Sequence, residues 1–383
     1  MQTHRTYQAA LGLAWLSQYG CHSLLKMLDE KGPLAVWTAS RADLRAWGIL
    51  TRAAAGFEQK KKLFDAEQAE ALVEKAGARF IPFGAADYPD ELKHLALPPA
   101  GLFVVGARDA WERLLAMPRV TVVGTRKASA YGVQATEAFA AAFASNGVAV
   151  ISGMAMGIDG RAHRAALEAG GLTAAVLGCG PDIAYPPRSR WLHGRLKEVG
   201  LVLSELPPGT SPARWTFPHR NRILAALGDA VVVVEAPRAS GALQTVTQAL
   251  ELGRPVFSVP GSIYAETQKG CNLLLYDGAG PALEPCVTVQ DFFSQTRIQR
   301  GKRQPRGDLH PAAEHEERQN TGTHDRAQHR GMIMMVLASG PSTVDGLIDR
   351  TGLGVRESIT ALAELELEGL VRRSGPGMYA RAP

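Results

Sequence analysis

The stretch RVTVVGTRKASAYGVQATEAFAAAFASNGVAVISG, residues 119–153, contains the pattern that decides the fold. A β-branched run at 119–124 is followed by a helix-length amphipathic segment at 131–145 and by a second apolar run at 148–153. Near-continuous apolar strands that alternate with helices are typical of a parallel sheet covered on both faces. The stretch therefore predicts one strand–helix–strand unit of an α/β sheet.

The same alternation continues on both sides of this stretch. Further apolar runs occupy residues 172–178, 201–206, 230–236 and 255–260, and helix-length segments cover 160–169, 189–199, 220–227 and 242–252. Two earlier runs, 79–83 and 101–105, are expected to extend one edge of the sheet. The sequence therefore predicts an α/β fold with a doubly wound parallel sheet over residues 79–297.

The first 78 residues follow a different pattern. Apolar residues such as Leu13, Leu16, Leu24 and Leu28 recur at three-to-four spacing, and no β-branched run interrupts them. This periodicity predicts helices over 7–18, 23–30, 33–37, 41–47 and 53–76. We expect a small helical domain at residues 1–78.

A polar tract at 298–328 precedes the last segment of the chain. It lacks the apolar residues that a core requires, so a flexible linker is expected, with an auxiliary nucleic-acid contact as the alternative because its early part is basic. Beyond it, helical patterns at 332–338, 343–350 and 355–368 precede a hairpin pattern at 370–373 and 378–381, which predicts a winged helix at 329–383. The third of these helices carries four glutamates and one arginine, so a protein contact is as compatible with it as duplex binding.

Composition limits the classes of function. The chain has 383 residues, 21% of them charged, and a net charge of +5, which excludes wholesale disorder and permits a polyanionic partner. Its four cysteines, Cys21, Cys179, Cys271 and Cys286, form no CxxC pair, so we expect no metal site, no disulfide framework and a cytoplasmic location. The longest uncharged stretch, 138–158, contains polar and glycine breaks, so no membrane span is expected.

Candidate binding residues follow the predicted strands. In an open parallel sheet, ligands bind where loops leave the carboxyl ends of the strands, and helix N-termini there offer unpaired N–H groups to an anion. The candidates are Gly124, Thr125, Arg126, Lys127 and Ser129 in the first loop, Ser152, Gly153 and Met154 in the second, and Phe217, His219, Arg220, Asn221 and Arg222 further on. Glycines that let the backbone approach a ligand, together with four cations on one rim, predict a phosphate-binding edge.

Phe217 indicates that the bound polyanion is a nucleic acid. We expect it on an exposed loop beside Arg220 and Arg222, where an aromatic face for a base lies next to phosphate contacts, as in single-strand binders. The alternative is that Phe217 only fills the core.

The common enzymatic signatures are not found in these loops. The sequence has no GxxxxGK[ST] motif, and the GxGxxG-like start at 178–180 has Ile183 in place of its third glycine. His163 is interpreted as structural. Glu205 and Glu235 end neighbouring strands and are a candidate acid/base pair, but capping a loop or binding an arginine suits them equally well.

Taken together, the loops resemble a known family. The motifs that carry the resemblance are, in chain order, GTRKASAYG (124–132), SGMAMGIDGRAH (152–163), LGCGPDIAYPP (177–187), SELPPG (204–209), FPHRNRILAAL (217–227), VVEAPRASGALQT (233–245), GRPVFSVPG (253–261) and GCNLLL (270–275). In these motifs the sequence is similar to the DprA/Smf family of DNA-processing proteins, the bacterial recombination mediators of natural transformation.

The resemblance implies a function and a set of residues. It implies an extended Rossmann domain that dimerises, binds single-stranded DNA and loads RecA onto it, with no catalysis and no cofactor. The implied single-strand contacts are Arg126, Ser129, Phe217, Arg220, Asn221 and Arg222, with Gly153 and the backbone after it as a phosphate cradle. The implied dimer surface lies near GCNLLL, with Asn272, Leu273, Leu274 and Leu283 as candidates. The N-terminal helices resemble the family's SAM-like domain, and the last segment resembles its winged helix.

An enzyme with a related core is the alternative. The lysine-decarboxylase-like (LOG) phosphoribohydrolases, which cleave nucleoside monophosphates, carry a PGGxGTxxE stretch. Here ASGALQT (239–245) occupies that region, without the paired glycines or the glutamate. The motifs therefore favour a binding protein.

Overall fold

The computed structural model describes residues 2–19, 22–302, 319–338, 340–375 and 378–382. The chain divides into two compact units, residues 1–304 and residues 305–383. Cys21 and the middle of the predicted linker, residues 303–318, lie outside the described residues.

Short helices begin the first unit, as the periodicity predicts. They are α1 (Gln2–Ser17), a 3₁₀ helix (His22–Met27), α2 (Leu28–Thr38), α3 (Arg41–Ala46), α4 (Thr51–Lys61) and α5 (Ala66–Lys75). The prediction of one long helix over 53–76 is wrong. The helix breaks after α4, and Asp65 caps α5 by accepting a hydrogen bond from the Gln68 N–H at 3.1 Å, which is the usual role of aspartate at a helix start.

Strands and helices alternate from Arg79 onward. The elements are β1 (Arg79–Pro82), α6 (Asp90–Lys93), β2 (Gly101–Gly106), α7 (Arg108–Ala116), β3 (Arg119–Val123), α8 (Ala130–Ser145), β4 (Ala149–Ser152), α9 (Ile158–Glu168), β5 (Thr173–Val176), α10 (Arg190–Val199), β6 (Leu201–Ser204), α11 (Thr216–Leu227), β7 (Ala230–Val233), α12 (Ala242–Glu251), β8 (Val256–Ser258), α13 (Lys269–Tyr276), β9 (Gly280–Pro281) and α14 (Pro285–Lys302). Short 3₁₀ helices at Pro187–Ser189 and Glu266–Gln268 precede α10 and α13.

The strands form one sheet in the order β1-β2-β6-β5-β4-β3-β7-β8-β9. Neighbouring strands are parallel from β6 through β5, β4, β3, β7 and β8 to β9. At one edge, β2 pairs antiparallel with β6, and β1 pairs antiparallel with β2. The doubly wound parallel sheet is therefore confirmed, including the edge position of the runs 79–83 and 101–105. The direction of winding reverses between β3 and β7, which is where such sheets open a crevice.

Both faces of the sheet are buried. On one face, Val120 and Val122 of β3 pack with Phe143 of α8 and Phe292 of α14. On the other face, the core of β7, α11 and α12 continues into the N-terminal helices, where the Tyr7 ring lies 5.6 Å from the ring of Phe80. The helices before residue 79 thus share a core with the sheet.

The second unit is a winged helix, as predicted. Its elements are α15 (Gln319–Ala338), β10 (Ser342–Thr343), α16 (Val344–Thr351), α17 (Val355–Leu367), β11 (Val371–Gly375) and β12 (Met378–Arg381), and its strands form a sheet in the order β10-β12-β11. Ile333, Leu347 and Leu365 are among its core residues. Because α14 ends at Lys302 and α15 begins at Gln319, helices cover both ends of the predicted linker, 298–328.

Candidate nucleic-acid interface

A cleft of about 700 Å³ opens beside the carboxyl ends of β3 and β7. We call it the switch-point cleft, since it lies where the strand order reverses. The loop after β3, the loop after β7 and the start of α11 form its walls. The lining residues used below are Gly124, Thr125, Arg126, Lys127, Asp159, Tyr185, Arg214, Phe217, Arg220, Asn221 and Gly241.

Arg126 and Phe217 come together in this cleft. The guanidinium carbon of Arg126 lies 5.2 Å from the centre of the Phe217 ring, within the range of a cation–π contact. Arg126 is exposed, and Phe217 is half-buried against Tyr185, with the two ring centres 5.5 Å apart. The pair therefore presents a cation and an aromatic surface to the same space.

Phe217 lies in a helix, not on the exposed loop that the sequence predicts. The helix expected from residue 220 begins at Thr216, because the Thr216 hydroxyl donates to the Gly178 carbonyl at 2.5 Å and accepts from the Ala213 N–H. Phe217 is thereby held on the first turn of α11. Arg214, which sequence reasoning missed, is an exposed cation of the same lining.

Arg220 is buried, which corrects the expectation of an exposed cation beside Phe217. Only 4% of Arg220 is exposed, and its Nη1 donates to the carbonyls of Gly153, at 3.0 Å, and of Val176. A Cβ at Gly153 would lie 2.5 Å from this guanidinium, so glycine is required there for the close approach. Burial lowers the pKa of Arg220 to about 10, so it stays charged at neutral pH. Arg220 joins the ends of β4 and β5 beneath the cleft.

Arg222 is also buried, and it is not among the residues that line the cleft. Its guanidinium binds the Glu205 carboxylate through two hydrogen bonds of 2.8 and 2.6 Å and donates to the Leu97 carbonyl. Burial alone would raise the pKa of Glu205, but the pairing with Arg222 lowers it. His219 also lies beside this pair, with Nε2 3.5 Å from Glu205. Glu205 therefore binds an arginine, one of the three roles that the sequence left open. Because β5, β4 and β3 separate its strand β6 from β7, the expectation that Glu205 and Glu235 end neighbouring strands is wrong.

The loop after β4 does not offer free amides to an anion. The buried carboxylate of Asp159 instead faces the backbone N–H groups of Gly153 and Ala155. Burial raises the pKa of Asp159, although Arg220 and these amides act in the opposite direction. Ser152 and Met154 are buried as well, and the Ser152 hydroxyl donates to the Val122 carbonyl at 2.6 Å. An internal carboxylate thus takes the place of the expected phosphate.

An internal carboxylate, that of Glu235, also occupies the N-terminus of α8. The Ser129 N–H donates to Oε2 of the buried Glu235 at 2.9 Å, and the Ser129 hydroxyl caps α8 by accepting from the Gly132 N–H. A Cβ at Gly132 would lie 2.0 Å from Glu235 Oε2, so this close approach also requires glycine. In the first loop the cations Arg126 and Lys127 stay exposed, while the Thr125 N–H donates to the Glu235 carbonyl and Gly124 packs against Ile158.

Asn221 completes the wall between α11 and the loop after β7. Its Oδ1 accepts from Arg220 Nε at 3.3 Å, and its Nδ2 donates to the Gly241 carbonyl at 3.3 Å. Of the residues that the sequence places at the binding edge, the structure brings Gly124, Thr125, Arg126, Lys127, Phe217, Arg220 and Asn221 to the cleft lining; Ser129, Ser152, Gly153, Met154, His219 and Arg222 lie outside that lining.

Comparison with known proteins gives this site a context. The family model of DNA recombination-mediator protein A matches residues 79–294, and the model of the DprA winged helix domain matches residues 317–377. The chain belongs to the DprA/Smf family. It is a DNA-processing protein of the recombination-mediator kind, as the motifs predict.

Relatives of this DprA/Smf chain cover most of its length. Protein Smf of Synechocystis is 35% identical over 309 residues, which cover 76% of this chain and 77% of the relative. Protein Smf of Escherichia coli is 32% identical over 377 residues, which cover 96% and 95% of the two chains.

Two solved DprA structures are similar to the chain. DprA of Streptococcus pneumoniae aligns with a TM-score of 0.63 and 31% identity over 79% of this chain and 97% of that one. DprA of Helicobacter pylori, whose structure concerns its single-stranded DNA binding mode, aligns with a TM-score of 0.51 and 27% identity over 57% and 98% of the two chains.

The implied dimer residues of this DprA/Smf chain differ in exposure. Leu273 and Leu283 are exposed, whereas Leu274 packs partly into the core. The Asn272 side chain accepts a hydrogen bond from the Gly261 N–H and donates one to the Gly261 carbonyl. Further apolar side chains are exposed near them and were missed from the sequence, namely Ile263, Tyr264, Tyr276 and Val287. Ile263, Leu273 and Tyr276 line one depression.

Two further features concern the described part of this DprA/Smf chain. Within that part, no helix has the length and apolar character that crossing a membrane requires. The same residues contain no group of three or more His, Cys, Asp or Glu side chains placed to hold a metal ion.

Proposed function

We propose that this chain binds single-stranded DNA in the switch-point cleft. The observation that carries the proposal is the contact between the exposed Arg126 guanidinium and the Phe217 ring. Stacking on an aromatic ring beside cations that contact phosphates is how single-strand binders combine affinity with tolerance of sequence. The single-stranded DNA binding of the Helicobacter pylori relative supports the same ligand.

The residues have different roles in this proposal. Arg126, Lys127 and Arg214 contact phosphates, and Phe217 supports a base. Asn221 and the backbone at Gly124 and Thr125 shape the wall. The buried residues Ser152, Gly153, Met154, Arg220 and Arg222 and the half-buried Ser129 and His219 position these contacts from below without touching DNA.

Replacing Arg126 with alanine should weaken the binding of oligo-dT by about 10- to 150-fold, since a hydrogen bond to a charged group contributes roughly 1.5–3 kcal/mol. The slope of log K against log salt should also become shallower by about 0.7, the contribution of one phosphate contact on a single strand. Fluorescence anisotropy with labelled oligo-dT, at several salt concentrations, measures both. Replacing Arg126 tests the DNA contact more directly than replacing Phe217, because Phe217 also packs against Tyr185.

Arg113→Ala is the matched control. Arg113 is an exposed arginine of α7, outside the cleft lining, so its loss should leave affinity and salt slope unchanged. Wild-type affinity of the Arg126→Ala variant would contradict binding in the cleft.

We further propose that the chain loads RecA onto the bound strand in the cytoplasm during natural transformation. The support is family membership, since the matching model is that of a recombination mediator. The chain should shorten the lag of the RecA ATPase on single strands covered with single-strand binding protein, and Arg126→Ala should do so less. An equal lag with and without the wild-type chain would contradict the loading step.

The proposal is a binding function without catalysis or a cofactor. The carboxylate among the residues that line the cleft is Asp159, which is buried and faces two backbone amides. A general acid or base must instead reach its substrate. Release of free base from AMP, followed by chromatography, would favour the phosphoribohydrolase alternative.

We propose that two copies of the chain pair through the surface around Ile263, Leu273 and Tyr276, and that the exposed Leu283 also takes part. Ile263 and Tyr276 are 71% and 88% exposed, and apolar side chains of this size that cluster on a surface mark contact sites. A two-fold axis would bring the same residues of both copies together.

Tyr276→Glu should convert the dimer into a monomer, because it introduces a charge on each side of a self-complementary interface. Size-exclusion chromatography with light scattering should give twice the chain mass for the wild type and the single chain mass for the variant. Glu is placed at an exposed position, so folding should be unaffected. A variant that keeps the wild-type mass would remove this surface from the interface.

A further inference from the structure

A second groove lies next to the switch-point cleft and shares Ala155 with it. Its volume is about 380 Å³, within the range of small-ligand sites. Three arginines, Arg161, Arg164 and Arg188, line it, and its lining contains no carboxylate. We call it the Trp191 groove after its one aromatic lining residue.

Trp191 is an exposed aromatic residue on α10. Its neighbours Leu192 and Leu196 pack into the core, whereas 58% of Trp191 is exposed. The guanidinium carbon of Arg164 lies 5.0 Å from the centre of its ring. Trp191 therefore contributes little to the core, and its ring is held by a cation, as Phe217 is held by Arg126.

The charge of the groove suits a polyanion. Arg161 is paired with Glu137 at 3.1 Å, but Arg164 lies on the indole ring, and Arg188 forms no ion pair with any described residue. Two cations are thus left without a carboxylate beside an exposed ring. This repeats the combination of charge and aromatic surface in the switch-point cleft.

The two sites are separated by the backbone segment of residues 155–157. Ala155 lines both sites, and Met156 and Gly157 continue the lining of the Trp191 groove. Gly157 also touches the first loop, since a Cβ there would lie 2.2 Å from the Thr125 carbonyl oxygen. A strand that leaves Arg126 therefore passes Ala155, the exposed Met156 and Gly157 before it reaches Trp191.

We propose that the Trp191 groove is a second stacking subsite for the same single strand, in which a base lies on the indole and Arg164 and Arg188 contact the flanking phosphates. The proposal rests on the proposed function, since it extends the path of the strand out of the switch-point cleft. It assigns a base-stacking role to Trp191. Under this proposal, short oligonucleotides occupy the switch-point cleft alone, and longer ones reach both sites.

The test compares the full-length chain and its Trp191→Ala variant with labelled dT6 and dT24 by fluorescence anisotropy. Loss of one stacked base should weaken dT24 binding by about 5- to 150-fold and leave dT6 binding within about 2-fold. Trp191→Phe, which keeps an aromatic ring, should restore most of the dT24 affinity. Arg188→Ala should reduce the salt slope for dT24 by about 0.7 and leave that for dT6 unchanged.

Arg195→Ala, an exposed arginine on the same helix that pairs with Glu198, is the control and should bind both ligands as the wild type does. Trp191→Ala with unchanged dT24 affinity, or with equal losses for both lengths, would overturn the second subsite. Arg126→Ala separates this failure from that of the proposed function: it should weaken both lengths, and if it weakens neither, the cleft itself is not the binding site and the subsite is rejected with it.

Discussion

Arg220→Ala should lower the free energy of unfolding of the first unit by about 3–5 kcal/mol, the usual cost of removing one member of a buried charged network. The variant leaves the carbonyls of Gly153 and Val176 without their donor and removes the arginine that acts most strongly to lower the pKa of the buried Asp159. Buried polar groups without a partner cost roughly 1–3 kcal/mol each, which supports a value in this range.

Urea unfolding followed by tryptophan fluorescence measures this loss. All six tryptophans of the chain lie before residue 304, so the signal reports on the first unit and not on the winged helix. Arg126→Ala removes the same charge from an exposed position and should change the free energy of unfolding by less than about 0.5 kcal/mol.

The comparison of the two variants distinguishes scaffold from contact. Arg126→Ala should lose DNA affinity and keep stability, whereas Arg220→Ala should lose stability. If Arg220→Ala unfolds at the wild-type urea concentration and yet fails to bind oligo-dT, then Arg220 is a DNA contact, as the sequence predicts, and not a scaffold residue.

The architecture was predictable because each element has a local signal. Alternating apolar runs and helix-length segments specify the strands from β3 to β8, and three short helices before a hairpin specify the winged helix. β9 was missed because two residues, Gly280 and Pro281, carry no strand pattern. The break between α4 and α5 has a weak signal, because residues on both sides favour helices and Asp65 is the one capping residue between them.

Arg126 was predictable as a site residue, whereas the burial of Arg220 and Arg222 was not. A cation directly after a central strand must lie at the carboxyl edge of the sheet, whatever the rest of the chain does. The side-chain directions of Arg220 and Arg222 depend on where α11 begins, which is decided by a hydrogen bond between Thr216 and Gly178, 38 residues earlier in the chain.

The occupied anion positions were likewise hidden from the sequence. The pattern shows glycines and helix starts, and these do suggest free N–H groups. Whether those groups are free depends on carboxylates that are distant in the chain, as when Glu235 reaches Ser129 across 106 residues. Trp191 was not noticed for a related reason, since only the packing of Leu192 and Leu196 shows that the indole faces outward.

Acidification should destabilise the first unit, and His163 should be the main source of the effect. His163 is buried with Nδ1 2.7 Å from the Thr173 hydroxyl, and burial, with Arg220 nearby, lowers its pKa to about 3. The unfolded chain binds this proton near pH 6.5, so the stabilisation is complete above pH 6.5 and is lost as the pH falls. Between pH 6.5 and 4.5 the loss from His163 alone is about 2 kcal/mol.

His22 should add to this loss over the same range. Burial and the neighbouring His219 lower its pKa to about 4, with Arg222 acting in the same direction and Glu205 opposing them. The His22 and His219 rings lie 3.9 Å apart, which joins the first 3₁₀ helix to α11. A proton on His22 would place a charge against His219 and weaken this contact beside the turn that carries Phe217.

Urea midpoints at pH 7.5, 6.5, 5.5 and 4.5 test the acid effect through the tryptophan signal. His163→Gln should reduce the dependence of stability on pH by up to about 1.4 kcal/mol per pH unit below pH 6, because one site that binds a proton only in the unfolded chain is removed. The readout is the slope of stability against pH, so a lower stability of the variant at pH 7.5 does not affect it. His22→Gln is a second variant, for which a smaller change in this slope is expected. Equal slopes for the wild type and His163→Gln would show that the His163 imidazole is protonated within the fold, and a charged imidazole would then lie beside Arg220 under the cleft.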